Sequence, residues 1–195
     1  DLVDFMLGDL NDKLAQVQRL DIMQAVDDKA MAYFQSLPNT DINPAVLAGR
    51  AKALEKIATV RLNTGNLPGA LAAYRASAKL SSKLAAAKPA DVARQIAYSR
   101  TLAFIGMVHW NQSKLEASQQ DFESARNALR GAQTKAQHNP SLLIQLSYLS
   151  NDIGHVLEAR AQPAAAEAEY RNMLVLTRQL VALNLLTSLL GVRNS

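Results

Sequence analysis

The chain has 195 residues, 49% of them apolar and 19% charged, a balance that allows one continuous core and argues against disorder. It contains no cysteine, which excludes disulfides and thiolate metal sites. The net charge of +4 is uneven, because residues 1–50 hold four Lys/Arg against eight Asp while residues 51–195 hold 17 basic against nine acidic residues. The cations are dispersed, so a solvated surface and an attraction to acidic partners or a membrane surface both stay open.

The chain opens on Asp1 with no basic stretch followed by an apolar run and a small-residue cleavage site, and is expected to be a piece of a longer protein. Before Pro38, Leu2, Phe5, Met6, Leu10 and Leu14 share one helical face, and Leu20, Met23, Val26, Ala30 and Phe34 share another. Two helices are predicted there, at about 2–18 and 20–36. Beyond them, "NTDINP" (39–44), "KPAD" (88–91) and "HNP" (138–140) separate larger units, with proline suited to a first helical turn. "NTGNLPG" (63–69), "NQSK" (111–114) and "RAQP" (160–163) divide each unit in two. The intervening helices are predicted at about 44–63, 67–87, 90–111, 114–137, 140–160 and 163–190. No stretch alternates as a half-buried strand would. The longest uncharged apolar tract, 179–192, has 14 residues, short of the roughly 18–20 that a membrane-spanning helix needs.

The units are copies of one another. "IATV" at 57–60 returns as "IGMV" at 105–108 and as "IGHV" at 153–156, an interval of 48 residues. A small residue follows each phrase (Gly65, Ser113, Ala161), then another (Ala70, Ser118, Ala166), then an aromatic (Tyr74, Phe122, Tyr170). Blocks 51–98, 99–146 and 147–194 are thus three repeats, and a fixed period of this length marks a repeat array. In the first copy Leu54, Ile57 and Val60 share a helical face. Ala58, Gly106 and Gly154 inside the phrase allow a neighbouring helix to come close, and the aromatics supply large buried area beside that contact. Each unit is expected to be an antiparallel helical hairpin.

The small, small and aromatic positions resemble the tetratricopeptide repeat. That motif has about 34 residues, and the longer unit here leaves room for roughly four more helical turns. "TGNLPGALAAYRASAKLSSKLAAAKP" (64–89) is the nearest copy, whereas Ser113 and Ala161 depart from the turn glycine. Long repeats with "IG-x-V" in the first helix resemble arrays of large bacterial signalling proteins, and "DLVDFMLGDLNDKLAQVQRLDIMQAV" resembles the lead-in that follows an effector domain, and sometimes a membrane span, in such proteins. The resemblance implies an all-α fold, an α-solenoid of about eight helices. Residues 1–43 are expected to form a helical pair that leads into a continuous array of three repeats over 44–195. It also implies that first helices line a concave groove, through Lys52, Glu55, Thr59 and Asn63, then Arg100, Met107, Trp110 and Asn111, then Tyr148, Asn151, His155 and Glu158. Lys52 and Arg100 share a phase, as do Asn63 and Asn111, which resembles the kit that holds an extended peptide. Glu55 and Ala103 stand where a carboxylate clamp would need a cation, so binding of chaperone tails is not expected. Solvated helix surface is the alternative for this face, and Trp110, the single tryptophan, is either core or an anchor.

Catalytic signals are absent from the sequence. His109, His138 and His155 have no metal-ligand spacing around them, and the pairs Ser81/Ser82 and Asp121/Glu123 do not share a helix face. There is no phosphate-cradling glycine loop, and aromatics are only 5% with no basic run among them. Neither an enzyme, nor a cofactor or metal site, nor a nucleic-acid partner is expected, and the functional expectation is a protein- or peptide-binding scaffold. Two alternatives remain. A small-ligand sensor would need an enclosed pocket. A homo-oligomerisation module would act through the leucine-rich last helix, with Leu176, Leu180, Leu183, Leu186 and Leu190 covering a homodimer contact or packing back on the preceding hairpin.

Overall fold

The computed structural model describes residues 43–192, together with Lys29, Ala32 and Tyr33, and the side chains of the last helix as far as Leu183. Among the described residues the chain is all-helical, with six long helices and one short one. They are α1 (Pro44–Asn63), α2 (Leu67–Ala87), α3 (Val92–Asn111), α4 (Leu115–Ala128), α5 (Arg130–Lys135), α6 (Pro140–Ala159) and α7 (Pro163–Val192). The count differs from the eight or so expected. The two helices expected at 2–18 and 20–36 lie outside the described residues, and the one expected at 114–137 is divided into α4 and α5.

Local chemistry sets the helix ends at the same repeat phase each time. At the starts of α1, α3 and α6, Asn43, Asp91 and Asn139 accept from the backbone N–H of Ala45, Arg94 and Leu142 at 2.8, 3.2 and 3.0 Å. Each cap satisfies a first-turn donor, and Pro44 and Pro140 sit where no donor is needed. The far ends of these helices close with paired bonds. The N–H groups of Gly65, Ser113 and Ala161 donate to the carbonyls of Leu62, Trp110 and Glu158, and the next residues, Asn66, Lys114 and Gln162, donate to Arg61, His109 and Leu157. This is the Schellman arrangement, which needs a left-handed residue. Gly65, Ser113 and Ala161 meet that need with φ of 79°, 58° and 57°. Only Gly65 adopts it without steric cost, since a Cβ in this region costs roughly 1–2 kcal/mol.

The division of the expected 114–137 helix falls at Leu129, whose N–H bonds the Arg126 carbonyl at 3.1 Å, three residues back. The tighter turn lets Leu129 and Ala132 both enter the core, and Gly131 beside it is a weak helix former.

Hairpins form where the sequence puts its small residues. A Cβ added at Gly106 would lie 3.0 Å from the Phe122 ring, and one at Gly154 would lie 2.5 Å from the Tyr170 ring, so each glycine admits the aromatic of the returning helix. Ser118 Oγ donates to the Gly106 carbonyl at 2.9 Å, and Ser77 Oγ to the Ala51 carbonyl at 2.8 Å, closing buried polar groups across the pair.

The described residues fall into two compact units, divided between Ala87 and Lys88. In the first, α1 pairs with α2 around Leu54, Ile57, Ala70, Ala73 and Tyr74. In the second, the α3/α4 and α6/α7 hairpins pack on one another, with α6 lying against both α3 and α4. Phe122, Leu129, Leu142, Leu146, Leu149, Ile153 and Val156 fill the shared core. Arg126 reaches Glu169 with Nη1 at 2.7 and 2.8 Å from the two carboxylate oxygens, and Arg160 donates to Gln119, tying the second hairpin to the third. No described helix is long and apolar enough to cross a membrane.

Candidate functional site

Of the residues expected to line a groove, four belong to the first unit. Lys52 and Asn63 are exposed and Glu55 is half-buried. Thr59 is occupied within its own hairpin: its hydroxyl donates to the Glu55 carbonyl at 2.9 Å and so accepts from Tyr74 Oη, also at 2.9 Å. Burial foremost, with the Glu55 charge, holds the Tyr74 phenol above its ordinary value.

The other eight belong to the second unit. Arg100 and Tyr148 are exposed, Tyr148 to 64%, and Asn151 is half-buried. Asn111 turns its amide back on the Met107 carbonyl of its own helix at 2.8 Å. His155 and Glu158 meet around the third aromatic: Tyr170 Oη donates to Glu158 Oε2 at 3.0 Å and lies 3.1 Å from His155 Nδ1. With the hydroxyl proton directed at Glu158, that nitrogen is the N–H donor. The two rings stand edge to face, centroids 5.6 Å apart.

Met107, Trp110 and His155 do converge. With Phe122 and Asp152 they line a cleft of about 290 Å³ between α3 and α6. Trp110 is 37% exposed, neither core nor fully open, and sits on the last turn of α3, where the Ser113 cap bond takes its carbonyl. One residue back, His109 Nδ1 lies 2.5 Å from Asp121 Oδ2, a bond that pins α3 to α4 and fixes this turn. Phe122, 2% exposed, forms the apolar floor. Burial foremost pushes the Asp152 carboxyl above its usual range, against the opposing pull of the Asn151 side chain and of His155.

Asp152 and Phe122 were not among the residues expected at the site. Phe122 was read as hairpin core, and it is core that also shows one face to the cleft. Asp152 did carry a signal: its repeat phase holds Lys56 and Phe104 in the other copies, so an acid there is a departure from the unit. Among the described residues no cluster of three or more His, Asp or Glu could hold a metal ion.

The leucines expected in self-association divide by face. Leu176 is buried, and Leu180 and Leu183 are half-buried against the core of the second unit, while Leu174, Val175 and Val181 are exposed. The side chains of Leu186 and Leu190 lie outside the described residues.

Compared with known proteins, the chain matches no protein-family model, and no curated protein matches it.

Proposed function

We propose that the chain is a non-enzymatic binding module, an α-solenoid of tetratricopeptide-like hairpins in a larger bacterial signalling protein, which holds a segment of a partner protein along its first helices. The observation that carries this reading is the α3/α6 cleft, which Trp110 lines half-open on one first helix, while the next first helix, α6, carries the exposed Tyr148. Half-buried aromatics on a rigid helical face are the usual anchors of protein contacts. The capped, cross-bonded hairpins would lose little freedom on binding.

The test is capture of a partner from cell lysate by the purified chain, compared with a Trp110→Ala/Tyr148→Ala variant of unchanged helicity. Loss of the captured protein is expected. Retention by the variant would move the binding surface elsewhere.

A second reading, self-association through α7, is favoured by the outward Leu174, Val175 and Val181 on a single helix. Sedimentation of wild type and Val181→Lys distinguishes it, since a dimer built on this face should dissociate in the variant.

A further inference from the structure

Asp152 is the acidic wall of the cleft and is set differently from four other acids of the second unit. Asp91, Asp121, Glu169 and Glu167 have cationic or imidazole partners within 3.1 Å, in Arg94, His109, Arg126 and Arg171. Asp152 is more enclosed than an ordinary surface acid, and among the described residues the groups that act on it are the Asn151 amide and the His155 imidazole rather than a lysine or arginine. An acid held partly out of water without a permanent cation is a standing cost to the fold. His155 is in addition engaged with Tyr170 through Nδ1.

The other walls of the cleft define what could relieve that cost. Met107 and Phe122 are apolar, and Trp110 is half-open beside them. A carboxylate among the walls of a largely apolar, aromatic slot complements a long side chain with an aliphatic stem and a cationic head. A neutral side chain would leave Asp152 unpaired, and an acidic one would be repelled by it. A planar guanidinium gains more than an ammonium, because it can stack on an indole and bond a carboxylate through two N–H groups at once. The cleft, at about 290 Å³, is at the lower end of ligand-pocket sizes and suits one side chain of a larger partner.

We propose that the α3/α6 cleft is a subsite for an arginine side chain of the partner segment, with Asp152 taking its charge, Trp110 its flat face, and Met107 and Phe122 its stem. The inference rests on the protein-binding reading and names the chemistry of the partner at this point.

Because Trp110 is the only tryptophan, a ¹⁵N-labelled chain gives one indole N–H signal, which reports on this cleft directly. Three capped pentapeptides, Gly-Ser-X-Ser-Gly with X as arginine, its neutral isostere citrulline, or glutamate, are titrated against the wild type and Asp152→Asn. The arginine peptide should move the indole signal with about tenfold higher affinity than the citrulline peptide. Asp152→Asn should abolish that preference at unchanged helicity. The net charge of +4 works against non-specific cation binding, so a preference for arginine would be local. Equal response to citrulline, or a preference that survives Asp152→Asn, overturns the arginine subsite while the cleft remains a binding surface. No response to any of the three also overturns the subsite, and the lysate capture then judges the protein-binding reading separately.

Discussion

Phe122 and Tyr170 hold the same position in the second and third hairpins and face the same kind of glycine, yet they are packed differently. Phe122 is sealed because α6 lies over its hairpin, and the residue opposite it, at the phase of Thr59, is the apolar Met107. Tyr170 is only half-buried, and His155 at that same phase meets its hydroxyl. Tyr74 in the first hairpin separates the two variables: it is fully buried yet keeps its hydroxyl, because Thr59 supplies a partner. Whether this position carries a hydroxyl therefore follows the residue opposite rather than the degree of burial, as expected when an unpaired buried hydroxyl costs about 1–3 kcal/mol.

The largest expected effect separates sealed from open. Phe122→Ala should destabilise by about 3–5 kcal/mol in urea unfolding, the range for a large core aromatic, and Tyr170→Ala by less than half as much. Equal losses would mean that the third hairpin is as tightly sealed as the second. Next comes the pairing rule. Phe122→Tyr should cost about 1–3 kcal/mol by burying a hydroxyl opposite Met107. Adding Met107→Thr should recover much of that loss, and a double-mutant cycle without coupling would refute the rule.

A smaller effect belongs to the turns. Ala161→Gly should stabilise by about 1 kcal/mol and Gly65→Ala should destabilise by a similar amount, because all three turns need the left-handed residue that only Gly65 supplies freely. Chemical unfolding of the two variants checks both signs. The smallest effect concerns Asp152. Its folded carboxyl titrates above the ordinary 3.8, so the native state holds its proton more tightly than the unfolded chain does. Asp152 therefore lowers stability at neutral pH, and that penalty is relieved as pH falls through the raised value toward 3.8. Asp152→Asn should be more stable than wild type at pH 7, with the gap closing in thermal melts between pH 7 and pH 4.

Much of the fold was legible because its determinants are local. Proline and asparagine at 43–44 and 139–140, the turn after each first helix, and the glycines facing Phe122 and Tyr170 lie within a few residues of what they control or recur with the repeat. Predicted and observed bounds agree within a residue or two at almost every helix end. The division at Leu129 was not legible, because it depends on two residues reaching a core assembled from another hairpin.

The site was legible only in outline. Repeat phase assigned residues to the first helices, and three of those, Met107, Trp110 and His155, line one cleft in the structure. Phase could not tell which side chains were already engaged, as Thr59 is by Tyr74 and Asn111 by its own helix. Nor could it tell that Asp152 would line the cleft with Asn151 and His155, rather than a lysine or arginine, as its neighbours among the described residues.

The sequence alone determined the all-helical character of the described residues, the bounds of their main helices, and the glycine-to-aromatic contacts of the second and third hairpins, since periodicity, capping and turn geometry act within a few residues. Tertiary structure decided the depth of Trp110, the environment of Asp152 and the exposed face of α7. Burial and charge depend on what the neighbouring helix brings to within a few ångströms, and in the second unit that neighbour comes from the next repeat.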